Sequence, residues 1–245
     1  MREMKDNSIK KSISVKERYK GVVDVWKGSK LYKYIDSKVS LHYRHRLKND
    51  NFTILSSNCI AGVIYHRLGK EFLTPLINMW LSQPDFVELC LHMDYYFSKE
   101  LHFIDSDKGF PVAELKGDGQ NIPTITLNFN HDKIPETAHE NWERRKNRIV
   151  PDNLYIILYN LDGITLEQLK KLERLSCKGK VVLTATPLPE IPWSLYIKPV
   201  MSHRFPYNYL EKDAFGIRYF EKKFDYVSFL NDEMECLNSK RLNMS

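Results

Sequence analysis

A chain of 245 residues with 42% hydrophobic and 28% charged side chains has an ordinary globular make-up, which excludes collagen-like, mucin-like and wholly disordered chains. The 37 basic and 31 acidic side chains leave a net +6, and the excess is local: residues 1–50 carry a net +8 and the remainder a net −2. No window approaches the ~18 consecutive apolar residues of a membrane span, and the polar stretch Met1 to Ser14 has no signal-peptide core, so a cytoplasmic protein is expected.

In chain order, residues 16–27 and 31–49 read as charged helices, with Leu31, Ile35, Val39 and Leu41 as inward positions. The compact run Phe52-Thr53-Ile54-Leu55 reads as a buried strand, Ser56-Ser57-Asn58 as a polar turn, and 60–68 as a helix. Thr74-Pro75 has the chemistry of a helix start, as has Pro84-Asp85, after which Phe86, Leu89, Cys90, Met93 and Phe97 recur at helical spacing. Thr124 to Phe129 alternates like a strand, and a helix runs from Pro135 to about Arg148. Leu154 to Tyr159 has the continuous apolar character of a central strand. A turn at Leu161-Asp162-Gly163, a helix from Thr165 to Leu175 and a strand over Lys180 to Thr184 follow. Beyond Pro187 the chain reads as an irregular, aromatic-rich tail with short elements. Strands alternating with helices predict an α/β protein, a three-layer α/β/α sandwich on a mostly parallel or mixed sheet. The expected organisation is a basic helical N-terminal extension over 1–50, the α/β core over 51–200, and a C-terminal extension over 201–245 packed on it.

The most chemically suggestive segment is Ser57-Asn58-Cys59 with Gly62, placed where a strand's carboxyl end meets a helix N-terminus. Ligands of open α/β sheets bind there, and helix N–H groups favour anions. The same field predicts a lowered pKa for the Cys59 thiol, with Asn58 and Ser57 as donors. The plain alternative makes Asn58 a cap and Cys59 a packing residue. Cys59, Cys90, Cys177 and Cys236 are too widely spaced for a zinc site, and a reduced state is expected. His42 and His45 lack a third ligand, so no metal site is read. Among eight histidines, His131 follows the Thr124–Phe129 strand and is the candidate base; a solvent-exposed turn histidine is the alternative.

A second cluster is Trp142 with Arg144, Arg145 and Arg148. Guanidinium forks suit phosphates and an indole suits a sugar ring, although a solvated helix with Trp142 in the core fits the same spacing. The basic N-terminal segment suits phosphates of nucleic acid or of an anionic membrane face, or is a solvated arm. No nucleic-acid module accompanies it, so nucleic acid is not the expected partner. P-loop, G-x-G-x-x-G, kinase and H-E-x-x-H patterns are all missing, and no cofactor is identified.

The run Phe52-Thr53-Ile54-Leu55-Ser56-Ser57-Asn58-Cys59 with Gly62, Tyr65, Thr74-Pro75 and Asp85-Phe86 resembles a bacterial family of unknown function whose members are commonly labelled exopolysaccharide biosynthesis proteins. The resemblance continues through Phe110-Pro111-Val112, Trp142-Glu143-Arg144-Arg145 with Arg148-Ile149, Asp152-Asn153-Leu154 and Asp162-Gly163. It implies a three-layer α/β fold and a cytoplasmic role in making or decorating capsular or extracellular polysaccharide; it implies no particular reaction. The function expected is a transferase acting on such a polysaccharide or its lipid-linked precursor, with acyl transfer favoured. Cys59 is then nucleophile or positions the acceptor, Asn58 and local N–H groups stabilise the oxyanion and His131 is the base. Ser57, Gly62, Trp142, Arg144, Arg145, Arg148 and Asp162 contact substrate. Two alternatives stay open. One is a glycosyl- or glycosyl-phosphate transferase with a divalent metal at Asp132 or Asp162. The other is a carbohydrate-binding assembly protein docked on the membrane's inner face through Lys10, Lys11, Lys16 and Arg18.

Overall fold

The structure, a computed structural model, describes residues 24–160, 164–198 and 209–234. Its elements in chain order are α1 (Lys30–Arg46), β1 (Thr53–Ser56), α2 (Ile60–Leu68), α3 (Gln83–Leu91), α4 (Met93–Phe97), β2 (His102–Ile104), β3 (Val112–Leu115) and β4 (Ile125–Asn128). There follow α5 (Pro135–Lys146), β5 (Leu154–Asn160), α6 (Leu166–Glu173), β6 (Gly179–Thr184), β7 (Ser194–Tyr196) and α7 (Tyr226–Leu230). The chain is α/β, with a parallel sheet of order β1-β5-β6-β7 and a smaller antiparallel sheet of order β2-β3-β4.

Register explains why the central strands read as unbroken apolar runs. Ile54 pairs with Tyr155 and Ile157 with Val181, and these side chains face one layer with Ile60, Ile64 and Leu68 of α2 and Val227 and Leu230 of α7. The alternate residues Leu55, Ile156, Leu158 and Val182 face the opposite layer, with Phe86 and Leu89 of α3, Trp142 of α5, and Leu169 and Leu172 of α6. A sheet covered on both faces cannot alternate apolar with polar. Local chemistry sets the helix ends. Ser82 Oγ accepts from Asp85 N (3.2 Å) at the start of α3. Thr165 and Gln168 form a reciprocal capping box on α6, whose last carbonyls accept from Lys180 Nζ.

Three expectations change. Thr74-Pro75 starts no helix: Thr74 Oγ1 takes the Leu76 N–H in a local turn, Asn78 has a left-handed φ of 63°, and the chain then extends. That extended piece joins the two sheets, because Trp80 exchanges two 3.0 Å backbone hydrogen bonds with Asn128 and Leu81 N donates to Ser57 O (3.0 Å). The Thr124–Phe129 strand therefore lies not in the parallel sheet but in the antiparallel one; β3 reaches it through a loop with no crossover helix, which permits only antiparallel pairing. The helix opened by Pro84 breaks at His92 (φ −128°, ψ 40°) into α3 and α4. The tail after Pro187 holds a short element as expected, the three-residue parallel strand β7.

In α1, Leu31 and Leu41 are exposed, against their expected inward position. The helix instead docks by a polar anchor. Arg67 of α2, 2% exposed, donates to Glu221 Oε1 and Oε2 (3.0 and 2.9 Å), Asp36 Oδ1 (2.6 Å), Ser40 Oγ (3.1 Å) and the Gly216 carbonyl. Gly216 adopts φ +79°, and a β-carbon there would meet Asp36 at 2.6 Å, so glycine is required where the loop closes on the guanidinium. One arginine thus ties α1, α2 and the 209–234 segment together. Among the described residues no helix is long and apolar enough to cross a membrane.

Candidate functional site

The carboxyl end of β1 runs into a turn built by Asn58. Its Oδ1 accepts from Ile60 N (3.0 Å) and from Ser56 Oγ (3.3 Å), satisfying the first N–H of α2. Cys59 is the N-cap of that helix, and Val63 N returns to Cys59 O (3.0 Å). The next two N–H groups, of Ala61 and Gly62, have no acceptor among the described residues, and neither does Asn58 Nδ2. Ser57 is buried, with its carbonyl committed to Leu81 and its hydroxyl without a partner. A β-carbon on Gly62 would meet Ile77 at 3.6 Å, an ordinary contact, so packing does not demand glycine there.

His131 reaches this turn from the other sheet. Beyond the Trp80–Asn128 bridge, His131 N donates to Asn78 O (3.3 Å), and its imidazole Nε2 lies 3.5 Å from Cys59 Sγ. A thiol and an imidazole 72 residues apart are therefore in contact at the edge of the parallel sheet. The expected direction of the thiol's pKa is reversed: burial pushes the half-buried Cys59 thiol up from its ordinary value. Burial disfavours the thiolate, so its proton needs an acceptor when one forms. Alkylation of Cys59 by iodoacetamide, followed peptide by peptide in the folded protein, is expected to rise with an inflection above ~8.5, the ordinary thiol value. An inflection below that value contradicts the burial argument.

The α5 cluster divides into three fates. Ala138, Trp142 and Arg145 recur at the spacing of one buried face. Trp142, 1% exposed and packed against Phe97 and Phe129, belongs to the core and cannot stack on a substrate sugar; its large apolar area fills the space between the two sheets. Arg145 is 7% exposed, with Nη1 donating to Ile77 O (3.3 Å) and its guanidinium 5.5 Å above the Phe72 ring. Arg144 is exposed and donates to Asn141 Oδ1 (2.6 Å), whose Nδ2 in turn donates to Asp132 Oδ1 (3.2 Å). Arg148 pairs through Nη1 with Glu71 Oε1 (2.6 Å). Asp162 lies outside the described residues.

Sequence reasoning overlooked Asn141, which links Asp132 beside His131 to Arg144; its spacing of three before Arg144 on a helix was the available signal. It also overlooked Ile77 and Asn78, whose carbonyls receive Arg145 and His131. Backbone acceptors leave no trace in residue type.

Residues 30–231 match the family model described as a domain of unknown function, DUF1919. An uncharacterised protein of Haemophilus influenzae is 29% identical over 188 residues, which cover 77% of this chain and 88% of the relative.

Proposed function

We infer that this chain, which belongs to the DUF1919 family, is a cysteine-dependent acyl transferase that works on a surface polysaccharide or its lipid-linked precursor. The observation that carries the chemistry is the 3.5 Å contact between Cys59 Sγ and His131 Nε2 at a helix N-terminus with unused N–H groups. The polysaccharide setting is supported by the motif resemblance alone.

The chemistry follows from the placement. His131 Nε2 takes the Cys59 proton as sulfur attacks an acyl carbonyl. The negative charge that develops on oxygen meets the Ala61 and Gly62 N–H groups and Asn58 Nδ2. Collapse expels the leaving group, which receives the proton from His131, and a thioester remains on Cys59. An acceptor hydroxyl then gives its proton to His131, attacks the thioester carbonyl and releases the thiol, which recovers its proton. Because burial favours the neutral thiol, the imidazole is required at the moment of attack.

The test is to trap the intermediate. With p-nitrophenyl acetate as a generic donor, the protein is expected to release a burst of p-nitrophenolate and to gain one acetyl group at Cys59 that neutral hydroxylamine removes. Cys59→Ala should show neither. Acetylation spread over lysines, with Cys59 unmodified, would overturn the reading.

A peripheral contact with an anionic membrane face is a second reading, supported by α1. Its exposed surface carries Lys30, Lys33 and Lys38 with Leu31, Tyr34 and Leu41, while its one carboxylate, Asp36, turns inward to Arg67 and Lys212. Co-sedimentation with phosphatidylglycerol vesicles is expected at low salt and lost in a Lys30→Glu/Lys33→Glu/Lys38→Glu variant; equal sedimentation with zwitterionic vesicles contradicts it. Lys10, Lys11, Lys16 and Arg18 lie outside the described residues.

A further inference from the structure

Among the described residues two arginines, Arg67 and Arg145, are nearly sealed from water, and they are treated in opposite ways. Arg67 is met by two carboxylates, a hydroxyl and a carbonyl. Arg145 has one long hydrogen bond to a carbonyl and the face of a phenyl ring, and among the described residues no carboxylate lies within ion-pair distance of it. Asp132, the acid that acts on it electrostatically, is held by Asn141 instead. Arg145 Nε is buried without a partner, and among the described residues Nη2 makes no hydrogen bond, so the Nε–Nη2 edge of the guanidinium is unclaimed. Burying a charge without a counter-charge is unfavourable, and a chain that supplies Arg67 so fully leaves Arg145 to something else.

Its surroundings say what. Arg145 donates to Ile77 O, and Ile77 also packs on Gly62 in the first turn of α2, while the neighbouring Asn78 carbonyl holds His131. Arg144, the preceding residue of α5, is exposed and among the described residues donates only to the Asn141 amide oxygen, which leaves a second guanidinium available. Guanidinium groups on consecutive residues of one helix match a multiply charged tetrahedral oxyanion better than a single carboxylate.

We propose that the Nε–Nη2 edge of Arg145, with Arg144, seats a phosphate or diphosphate group carried by the molecule on which Cys59 acts. The inference deepens the transferase reading and rests on it for the link to Cys59, whereas the anion site stands on Arg145 itself. The phosphate arrives either on a nucleotide-type acyl carrier or on a lipid-linked saccharide.

Inorganic pyrophosphate is the first probe, by calorimetry and by its effect on the melting temperature of the full chain. Saturable binding is expected, with Arg145→Met weakening it by on the order of a hundredfold, the equivalent of two lost charge-assisted hydrogen bonds. The same variant without ligand is expected to melt at or above the wild-type temperature, because it removes an unpaired buried charge. Arg148→Gln, whose arginine already serves Glu71, should bind pyrophosphate as the wild type does. Wild type that does not bind, or Arg145→Met that binds equally well, overturns the site. Should Arg145→Met fail to fold, Arg144→Gln and Arg145→Lys decide, and undiminished binding in both overturns it. Cys59→Ser is expected to keep pyrophosphate binding within about twofold, since the thiol makes none of these hydrogen bonds; the site and the thiol chemistry therefore fail separately. Acetyl coenzyme A and a polyprenyl phosphate in detergent then distinguish the two carriers by which of them shows the same dependence on Arg145.

Discussion

His131→Ala is expected to slow acylation of Cys59 at neutral pH by on the order of 10²- to 10⁴-fold, the span over which positioned bases act. The pH profile separates this role from a structural one. Burial holds the Cys59 thiol neutral through the physiological range, so without the imidazole its proton must leave to solvent. The rate of the variant should then climb roughly tenfold per pH unit until the thiol ionises by itself, closing most of the gap to wild type at high pH. A variant slowed equally at every pH would mean that the imidazole only packs beside Cys59 Sγ and moves no proton. Stopped-flow acylation by p-nitrophenyl acetate across the pH range measures this directly.

Glu221→Ala carries the largest expected cost in stability. It strips both bidentate hydrogen bonds from Arg67 and leaves the guanidinium buried with Asp36, Ser40 and the Gly216 carbonyl. Breaking a buried pair on one side typically costs 3–5 kcal/mol, a fall of roughly 6–20 °C in melting temperature for a chain of this size. The double variant Arg67→Met/Glu221→Leu should recover a large part of that loss, because neither charge is then stranded. A loss from Glu221→Ala of less than about 1 kcal/mol would place the anchor in the range of surface pairs.

Asp36, partly exposed and shared with Lys212, contributes less and in a pH-dependent way. Burial acts to raise its pKa, but the hydrogen bonds from Lys212 and Arg67 outweigh it and hold the carboxyl below its ordinary value. Its contribution is therefore complete above the unfolded value of ~3.9 and is lost as the pH falls through the lower folded value. Asp36→Asn should flatten that part of the acid-unfolding curve.

The elements were legible because their causes are local. Caps such as Ser82 and the Thr165–Gln168 box act within three residues, and the apolar runs of β1, β5 and β6 need only a sheet covered on both faces. Thr74-Pro75 shows the limit: the same chemistry that caps helices also closes a small turn, and the pairing of Trp80 with Asn128 decided between them.

The site divides in the same manner. Residue order alone put Cys59 at a strand end and a helix start, since both elements adjoin it in the chain. The meeting of His131 with Cys59 depends on a second sheet joined through Trp80 and Leu81, a contact between segments far apart in sequence. The fates of Trp142, Arg144, Arg145 and Arg148 were equally non-local. A helix period ranks residues by face, but which face meets the core, a carboxylate or an empty corner depends on what packs there. The direction of the thiol's ionisation followed too: the helix end is written in the sequence, whereas the burial that pushes the thiol up comes from the tertiary fold that encloses Cys59.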